Sequence, residues 1–341
     1  KNVHSAIISR IKNISRLDMA EKRRPQDGRI KMDKGGVEAE IRISSIPVAF
    51  GEKLVMRIMD PDVLLQDLEN LGFTSMDLIR YQQFINMPHG IILVCGPTGS
   101  GKSTTLYSTL RYLASPDINI TTVEDPIEMV HEAFNQIAVQ PTIGITFASI
   151  LRYILRQDPD IIMIGEMRDL DTGENAIQAA LTGHLVLSTL HTNDAPSSIT
   201  RLLDLGIPPF LIQATLVGIL AQRLVRKICP ECKEPLEVDA ADMSSLGLEL
   251  GKTGAVTLYR GKGCLKCRGT GYRGRSGIYE VLPVTEAVKK QIGPECNSEI
   301  LGDLARREGM ITLRENAVKK LLDGETTYQE VLRVTWEPNH G

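Results

Sequence analysis

Ile91-Ile-Leu-Val-Cys95 runs directly into Gly96-Pro-Thr-Gly-Ser-Gly101-Lys102-Ser103, and this junction decides the fold. The first five residues are a short apolar run rich in β-branched side chains, the composition of a strand buried on both faces. The next eight fit G-x-x-x-x-G-K-[ST], and a helical stretch follows, so the order is strand, glycine-rich loop, helix. In that setting Gly96, Pro97, Thr98, Gly99, Ser100, Gly101, Lys102, Ser103 and Thr104 are expected to form a cradle for the phosphates of ATP. Backbone amides turn inward, Lys102 neutralises the β and γ oxygens, and Ser103 ligates Mg²⁺. A turn that merely starts a helix is the plainer reading, and the preceding strand weighs against it.

Working outward, Ile118–Val123, Ile161–Ile164 and His184–Leu190 are further continuous apolar runs. With helical stretches between them they predict an α/β fold, a largely parallel sheet covered on both sides. Pro209–Leu224 reads as one long helix, and the stretch 298–334 as several, with Thr312 and Thr326 as N-caps. Upstream, Val3, Ile7, Ile11, Ile14 and Leu17 lie at helical spacing. Two alternating runs, Arg29–Asp33 and Val37–Ser44, meet across Lys34-Gly-Gly36 as a hairpin, and Lys53–Met59 completes a small α+β unit. The expected organisation is a partial N-terminal domain over 1–59, a linker over 60–72, the nucleotide-binding core over 73–228, a cysteine module over 229–280 and a helical region over 281–341.

Two acids follow predicted strands. Glu166, after Ile161–Ile164, is placed at the carboxyl edge of the sheet where nucleotides lie, and is the candidate for polarising water. Glu124 follows Ile118–Val123 in the same way and is expected to hold Mg²⁺ or its waters. His184 and His191 bracket the strand Leu185–Leu190; a surface or core histidine competes with a phosphate sensor at His191. In Phe147–Arg156 one stripe is apolar, which sets Arg152 and Arg156 together elsewhere on the helix. They read either as a solvated basic face or as guanidinium groups offered to phosphate.

Cys229-Pro-Glu-Cys232 and Cys264-Leu-Lys-Cys267 are two Cys-x-x-Cys knuckles. Four thiolates suit tetrahedral Zn²⁺ and leave no open position, so the predicted site is structural. Redox pairs fit less well, since neither knuckle opens a βαβ unit. The stretch 233–263 is a long excursion between the knuckles, and loss of metal is expected to unfold the module locally. Cys95 and Cys296 read as ordinary buried or spare thiols.

A net charge of −3 lacks the basic excess of a nucleic-acid binder. No apolar run approaches the roughly 18 residues that span a bilayer, so neither nucleic acid nor direct membrane insertion is expected, and the protein reads as cytoplasmic. The chain opens on Lys1 and reads as a piece of a longer protein.

Taken in order, Arg24-Pro-Gln-Asp-Gly-Arg29, the glycine-rich loop, Val123-Glu-Asp-Pro-Ile-Glu128, Arg156-Gln-Asp-Pro-Asp160 through Gly165-Glu-Met-Arg168, and Thr182-Gly-His-Leu-Val-Leu-Ser-Thr-Leu-His-Thr-Asn193 resemble the type II/type IV secretion ATPase superfamily. The cysteine knuckles with Thr270-Gly-Tyr-Arg-Gly-Arg-Ser-Gly-Ile-Tyr-Glu280 resemble its assembly branch, in type II secretion or type IV pilus extension. The resemblance covers nearly the whole chain. It implies a RecA-like core, a PAS-like small domain and a homo-hexamer that hydrolyses MgATP at subunit boundaries. Such a motor assembles pilin-like subunits, working on an inner-membrane platform protein. It also implies that Lys102 and Ser103 bind MgATP, that Glu124, Glu166 and His191 serve the acidic, catalytic and histidine boxes, and that Arg29, Arg42, Arg152 and Arg156 lie near the phosphates. The first strands of the small domain and an upstream platform-docking domain are missing by the same comparison. A nucleic-acid translocase and a scaffold that binds ATP without turnover are the competing readings.

Overall fold

The computed structural model describes residues 2–34, 37–59 and 64–335. They fall into two compact units, divided between Gln66 and Asp67.

In the smaller unit, helix α1 (Asn2–Ile14) accompanies a three-stranded antiparallel sheet of β1 (Gln26–Lys34), β2 (Val37–Val48) and β3 (Gly51–Met59). The β1–β2 register runs from Gln26 opposite Ser45 to Lys34 opposite Val37; the two glycines of the expected turn lie outside the described residues. The predicted inward stripe of α1 is corrected: Val3, Ile7 and Ile14 are exposed, while Ile8, Lys12 and Ser15 are buried. Lys12 sets this rotation. Its ammonium pairs with the Glu52 carboxylate and donates to Glu21 O at 2.8 Å, so its aliphatic stem lies inside.

The larger unit is built on a seven-stranded sheet in the order β12-β9-β4-β8-β7-β5-β6. Its strands are β4 (Gly90–Cys95), β5 (Ile120–Glu124), β6 (Asn135–Ala138), β7 (Ile161–Ile164), β8 (Leu185–Leu190), β9 (Leu216–Ile228) and β12 (Tyr272–Pro283). Six are parallel, and β12 alone runs antiparallel, against β9. The parallel strands therefore end on one edge, and their loops carry the site. Ahead of them lies α2 (Ser75–Ile85), and between them lie α3 (Lys102–Leu113), α4 (Phe147–Ile154), α5 (Leu170–Leu181), α6 (Pro196–Asp204) and α7 (Pro209–Thr215). β4, β7 and β8 are buried along their whole length, which is why they read as uninterrupted apolar runs.

The expected helix Pro209–Leu224 is overturned: only Pro209–Thr215 is helical, and Leu216–Ile228 is a strand. An apolar run is ambiguous between the two states, and tertiary context resolves it here. β9 fills the free edge of β4, and its Gly218 lets Phe84 of α2 pack so close that a Cβ there would stand 2.4 Å from the ring.

After β9 the chain leaves the sheet through β10 (Lys233–Asp239), α8 (Ala240–Ser245) and β11 (Ala255–Gly261), then returns as β12. Thus β12 belongs to the nucleotide-core sheet although it falls largely within the stretch assigned to the cysteine module. The remaining helices are α9 (Glu286–Gln291), α10 (Ser298–Arg307), α11 (Leu313–Leu322) and α12 (Tyr328–Thr335). Thr312 caps α11 in a reciprocal capping box with Glu315. Thr326 does not cap α12: its hydroxyl donates to Arg226 O at 2.8 Å, and the neighbouring Thr327 hydroxyl accepts from Glu330 N at 3.3 Å instead.

Candidate functional site

The glycine-rich loop bridges β4 and α3. Gly96 has φ +147°, and a Cβ on it would stand 2.5 Å from Gln222 O and 2.6 Å from Ser100 Oγ, so the turn admits only glycine. Ser100 is buried and its carbonyl accepts from Gln222 Nε2 at 2.7 Å, while Pro97, Thr98 and Gly99 are exposed. Lys102 and Ser103 open α3, where unpaired backbone amides favour anions. Lys102 Nζ bends back to Gly96 O at 2.7 Å and Pro97 O at 3.3 Å. Burial pushes its ammonium below the ordinary range, and the charge of Glu166 pulls it back.

Glu166 emerges two residues past β7 with its side chain 14% exposed. Its Oε1 pairs with Arg168, and its Oε2 stands 3.6 Å from His191 Nε2. The turn is fixed from β8: Thr189 Oγ1 donates to Gly165 O at 2.7 Å, and Met167 N donates to Thr189 O at 3.0 Å. Burial, with Lys102 second, holds His191 below the ordinary imidazole value, so the ring is mostly neutral at pH 7. His184 has a different task, closing α5 through Nδ1 contacts with Ala179 O at 2.8 Å and Thr182 Oγ1 at 3.1 Å.

Glu124 ends β5 but is only 4% exposed. Its carboxylate accepts from Tyr107 Oη at 2.6 Å, Thr122 Oγ1 at 2.7 Å and Gln136 Nε2 at 3.0 Å. Both oxygens thus face protein donors, where the sequence suggested a metal or its waters. Three protein donors thus satisfy this buried carboxyl group within the chain.

Arg152 of α4 lies exposed, opposite Phe147, Leu151 and Ile154, which face the core; the helix ends at Ile154, short of the expected Arg156, which is exposed in the turn that follows. With Ser149 and Tyr153 the two arginines line an open surface depression of about 240 Å³. In the smaller unit Arg29 and Arg42 are directly opposite across β1 and β2, and both approach Glu40 Oε1, at 3.7 and 3.4 Å.

The four cysteine sulfurs Cys229, Cys232, Cys264 and Cys267 lie within 4.8 Å of one another. The separations Cys229–Cys264 and Cys232–Cys267 are 3.9 Å, and Cys264–Cys267 is 3.7 Å. Tetrahedral Zn–S bonds of about 2.3 Å set sulfurs about 3.8 Å apart, so the cage fits zinc. Amides of Cys264 and Gly271 donate to Cys267 Sγ and pull that thiol down to about 6, while burial pushes Cys232 up to about 12. Thiols this close do not all ionise unless a cation lies among them. The excursion between the knuckles is not held by the cysteines alone. Its Ala240, Met243, Leu248, Leu250, Val256 and Leu258 share a buried cluster with Leu313, Ala317 and Leu321 of α11 and Val331 of α12. Its apolar residues thus draw on a core shared with the helical region, and that packing opposes the local unfolding expected on loss of metal.

Sequence reasoning passed over Arg168 on Glu166, Gln222 under the loop, and Tyr107 with Gln136 around Glu124. Arg168 stands inside a motif already singled out. The others are distant in sequence from what they touch, and Gln222 was signalled only as a polar residue within an apolar run.

Loop, acid and histidine at the carboxyl ends of β4, β7 and β8 define a P-loop nucleotide-binding fold. The chain belongs to the type II/IV secretion system protein family, whose model matches residues 1–333. It is 53% identical over 98% of its length to the type IV pilus assembly ATPase TfpB of Acinetobacter baylyi, and 48% identical over 99% to the type II secretion system ATPase E of Vibrio cholerae. It covers 57% and 66% of those two proteins. Among solved structures, the pilus retraction motor PilT with bound ADP aligns at a TM-score of 0.62 and 28% identity, covering 92% of this chain and 79% of that one. The ATPase DotB of Yersinia pseudotuberculosis shares the fold, at a TM-score of 0.69 and 23% identity, covering 96% and 81%.

Proposed function

We propose that this chain is the motor core of an ATPase that powers assembly of pilin or pseudopilin subunits at the bacterial inner membrane, acting as a homo-hexamer through a platform protein. The observation that carries the reading is the convergence of Lys102, Glu166 and His191 beyond adjacent parallel strands. Relatives named as pilus assembly and type II secretion ATPases support it. No helix among the described residues is long and apolar enough to cross a membrane, in keeping with attachment through partners.

Loop amides and Lys102 hold the β and γ phosphates, and Ser103 holds Mg²⁺, which supplies charge neutralisation there. Glu166 orients a water and accepts its proton; neutral His191 beside it is suited to meet the γ-phosphate as a hydrogen-bond donor. Glu124 serves by binding Tyr107 of α3 to β5 and β6. Arg29, Arg42, Arg152 and Arg156 stabilise phosphate charge at subunit boundaries. Zn²⁺ on the four cysteines is structural.

The test is steady-state MgATP hydrolysis across a protein concentration series, with oligomeric mass followed in parallel. Specific activity is expected to rise as hexamers appear and to fall about 10²-fold or more in Glu166→Gln, with nucleotide binding retained. Activity independent of concentration removes the intersubunit arginines from the mechanism. Activity unaffected by the substitution removes Glu166.

A further inference from the structure

Glu280, on β12, is a carboxylate with 6% exposure that the mechanism above does not use. Its two oxygens are divided between two helix starts. Oε2 accepts from Ala195 N at 3.0 Å, at the head of α6, and Oε1 accepts from Leu313 N at 3.0 Å, the first residue of α11. Helix N-termini carry unpaired amides and partial positive charge, so one buried carboxylate facing two of them is both neutralised and fixed in place.

Ala195 ends the short loop that leaves β8 through His191. That loop is held at a second point by Arg223 of β9, whose Nη2 donates to Asn193 O at 3.0 Å and to Asn193 Oδ1 at 3.3 Å. Its inner side is closed by Thr192 and Ser198, whose hydroxyls are 2.6 Å apart. The loop's C-terminal end is therefore bolted to β12 and α11, while its N-terminal end presents His191 to Glu166.

We propose that Glu280 is a positioning residue for hydrolysis. It locks the loop that carries His191 to the start of α11 and so keeps the imidazole beside Glu166. The inference rests on the ATPase reading for its kinetic consequence only; the anchoring itself is measurable without nucleotide. Glu280→Gln keeps the shape but turns an NH₂ group toward one of two amides, breaking one contact with a donor–donor clash. Glu280→Asp keeps the charge and withdraws it by one methylene.

In full-length protein, amide exchange at 192–195 is expected to accelerate at least about tenfold in Glu280→Gln, with zinc content unchanged and partial rescue in Glu280→Asp. The kcat for ATP is expected to fall about 10- to 100-fold, the cost of a group misplaced by an ångström, with KM within about threefold. Because the effect passes through His191, Glu280→Gln should cost less than about twofold more in a His191→Asn background. Losses that multiply in the double variant, or exchange at 192–195 that does not change, overturn the proposal. If wild type hydrolyses no ATP, the ATPase reading fails, and the exchange measurement still decides whether Glu280 anchors the loop. Should Glu280→Gln fail to fold, Glu280→Asp carries the same cycle.

Discussion

His191 Nε2 stands 3.6 Å from Glu166 Oε2, while Arg168 holds the other oxygen of the same carboxylate. The acid is thus shared between a fixed cation and a ring that is mostly neutral at pH 7.

Removing the cation changes the ring. Burial, Lys102 and Arg168 all lower the proton affinity of His191, and Glu166 raises it. In Arg168→Ala one repulsion disappears and Glu166 is freed, so the His191 titration midpoint is expected to move to higher pH. Imidazole proton resonances of the nucleotide-free chain, assigned with His191→Asn, report it. A midpoint that stays or falls would dismiss the shared-carboxylate arrangement.

Acid stability should depend on Glu330. Burial alone would raise this carboxyl, but hydrogen bonds from Arg333 and Arg226 outweigh it and hold the group at about 2. The unfolded value is about 4.3, so the folded state's advantage is complete above that pH and is lost as pH falls from there toward about 2. Glu330→Gln is expected to cost roughly 2 kcal/mol at pH 7, after allowing for solvent screening at the half-exposed arginines. Urea titrations at pH 7 and pH 3 check it; an equal deficit at both would assign the loss to packing.

Stripping zinc should loosen little. Chelation, or Cys264→Ser, is expected to lower bound zinc from about one per chain to none. Faster amide exchange is expected at 229–232 and 262–271, with β10 and β11 still protected because their side chains share a cluster with α11. Collapse of protection across 233–261 would show that the metal, and not the borrowed core, holds the excursion.

Gly218→Ala tests the β9 packing. The added methyl would meet the Phe84 ring at 2.4 Å in a filled core, an overpacking expected to cost about 1–3 kcal/mol. A chemical-denaturation midpoint equal to wild type would mean that Phe84 has room to move.

The central strands and the glycine-rich loop were legible because each carries its own local signal: β7 was read to the residue from Ile161-Ile-Met-Ile164. The exposure of Arg152 follows from the periodicity of α4, whereas Arg156 lies in the turn beyond its end. What failed depended on distant partners. Leu216–Ile228 suits a helix until β4 offers an open edge. Thr326 and Thr327 are chemically equal caps until Arg226 O takes the first hydroxyl. The contacts of Tyr107 and Gln136 with Glu124 likewise carry no local signal in the sequence.

Ile228 and Tyr272 sit opposite each other where β9 and β12 pair. The whole cysteine-bearing excursion consequently begins and ends at one doorway in the sheet. Its exposed turns can lengthen without disturbing the strand order that houses the nucleotide loop, so long as the buried face it shares with α11 and α12 is kept.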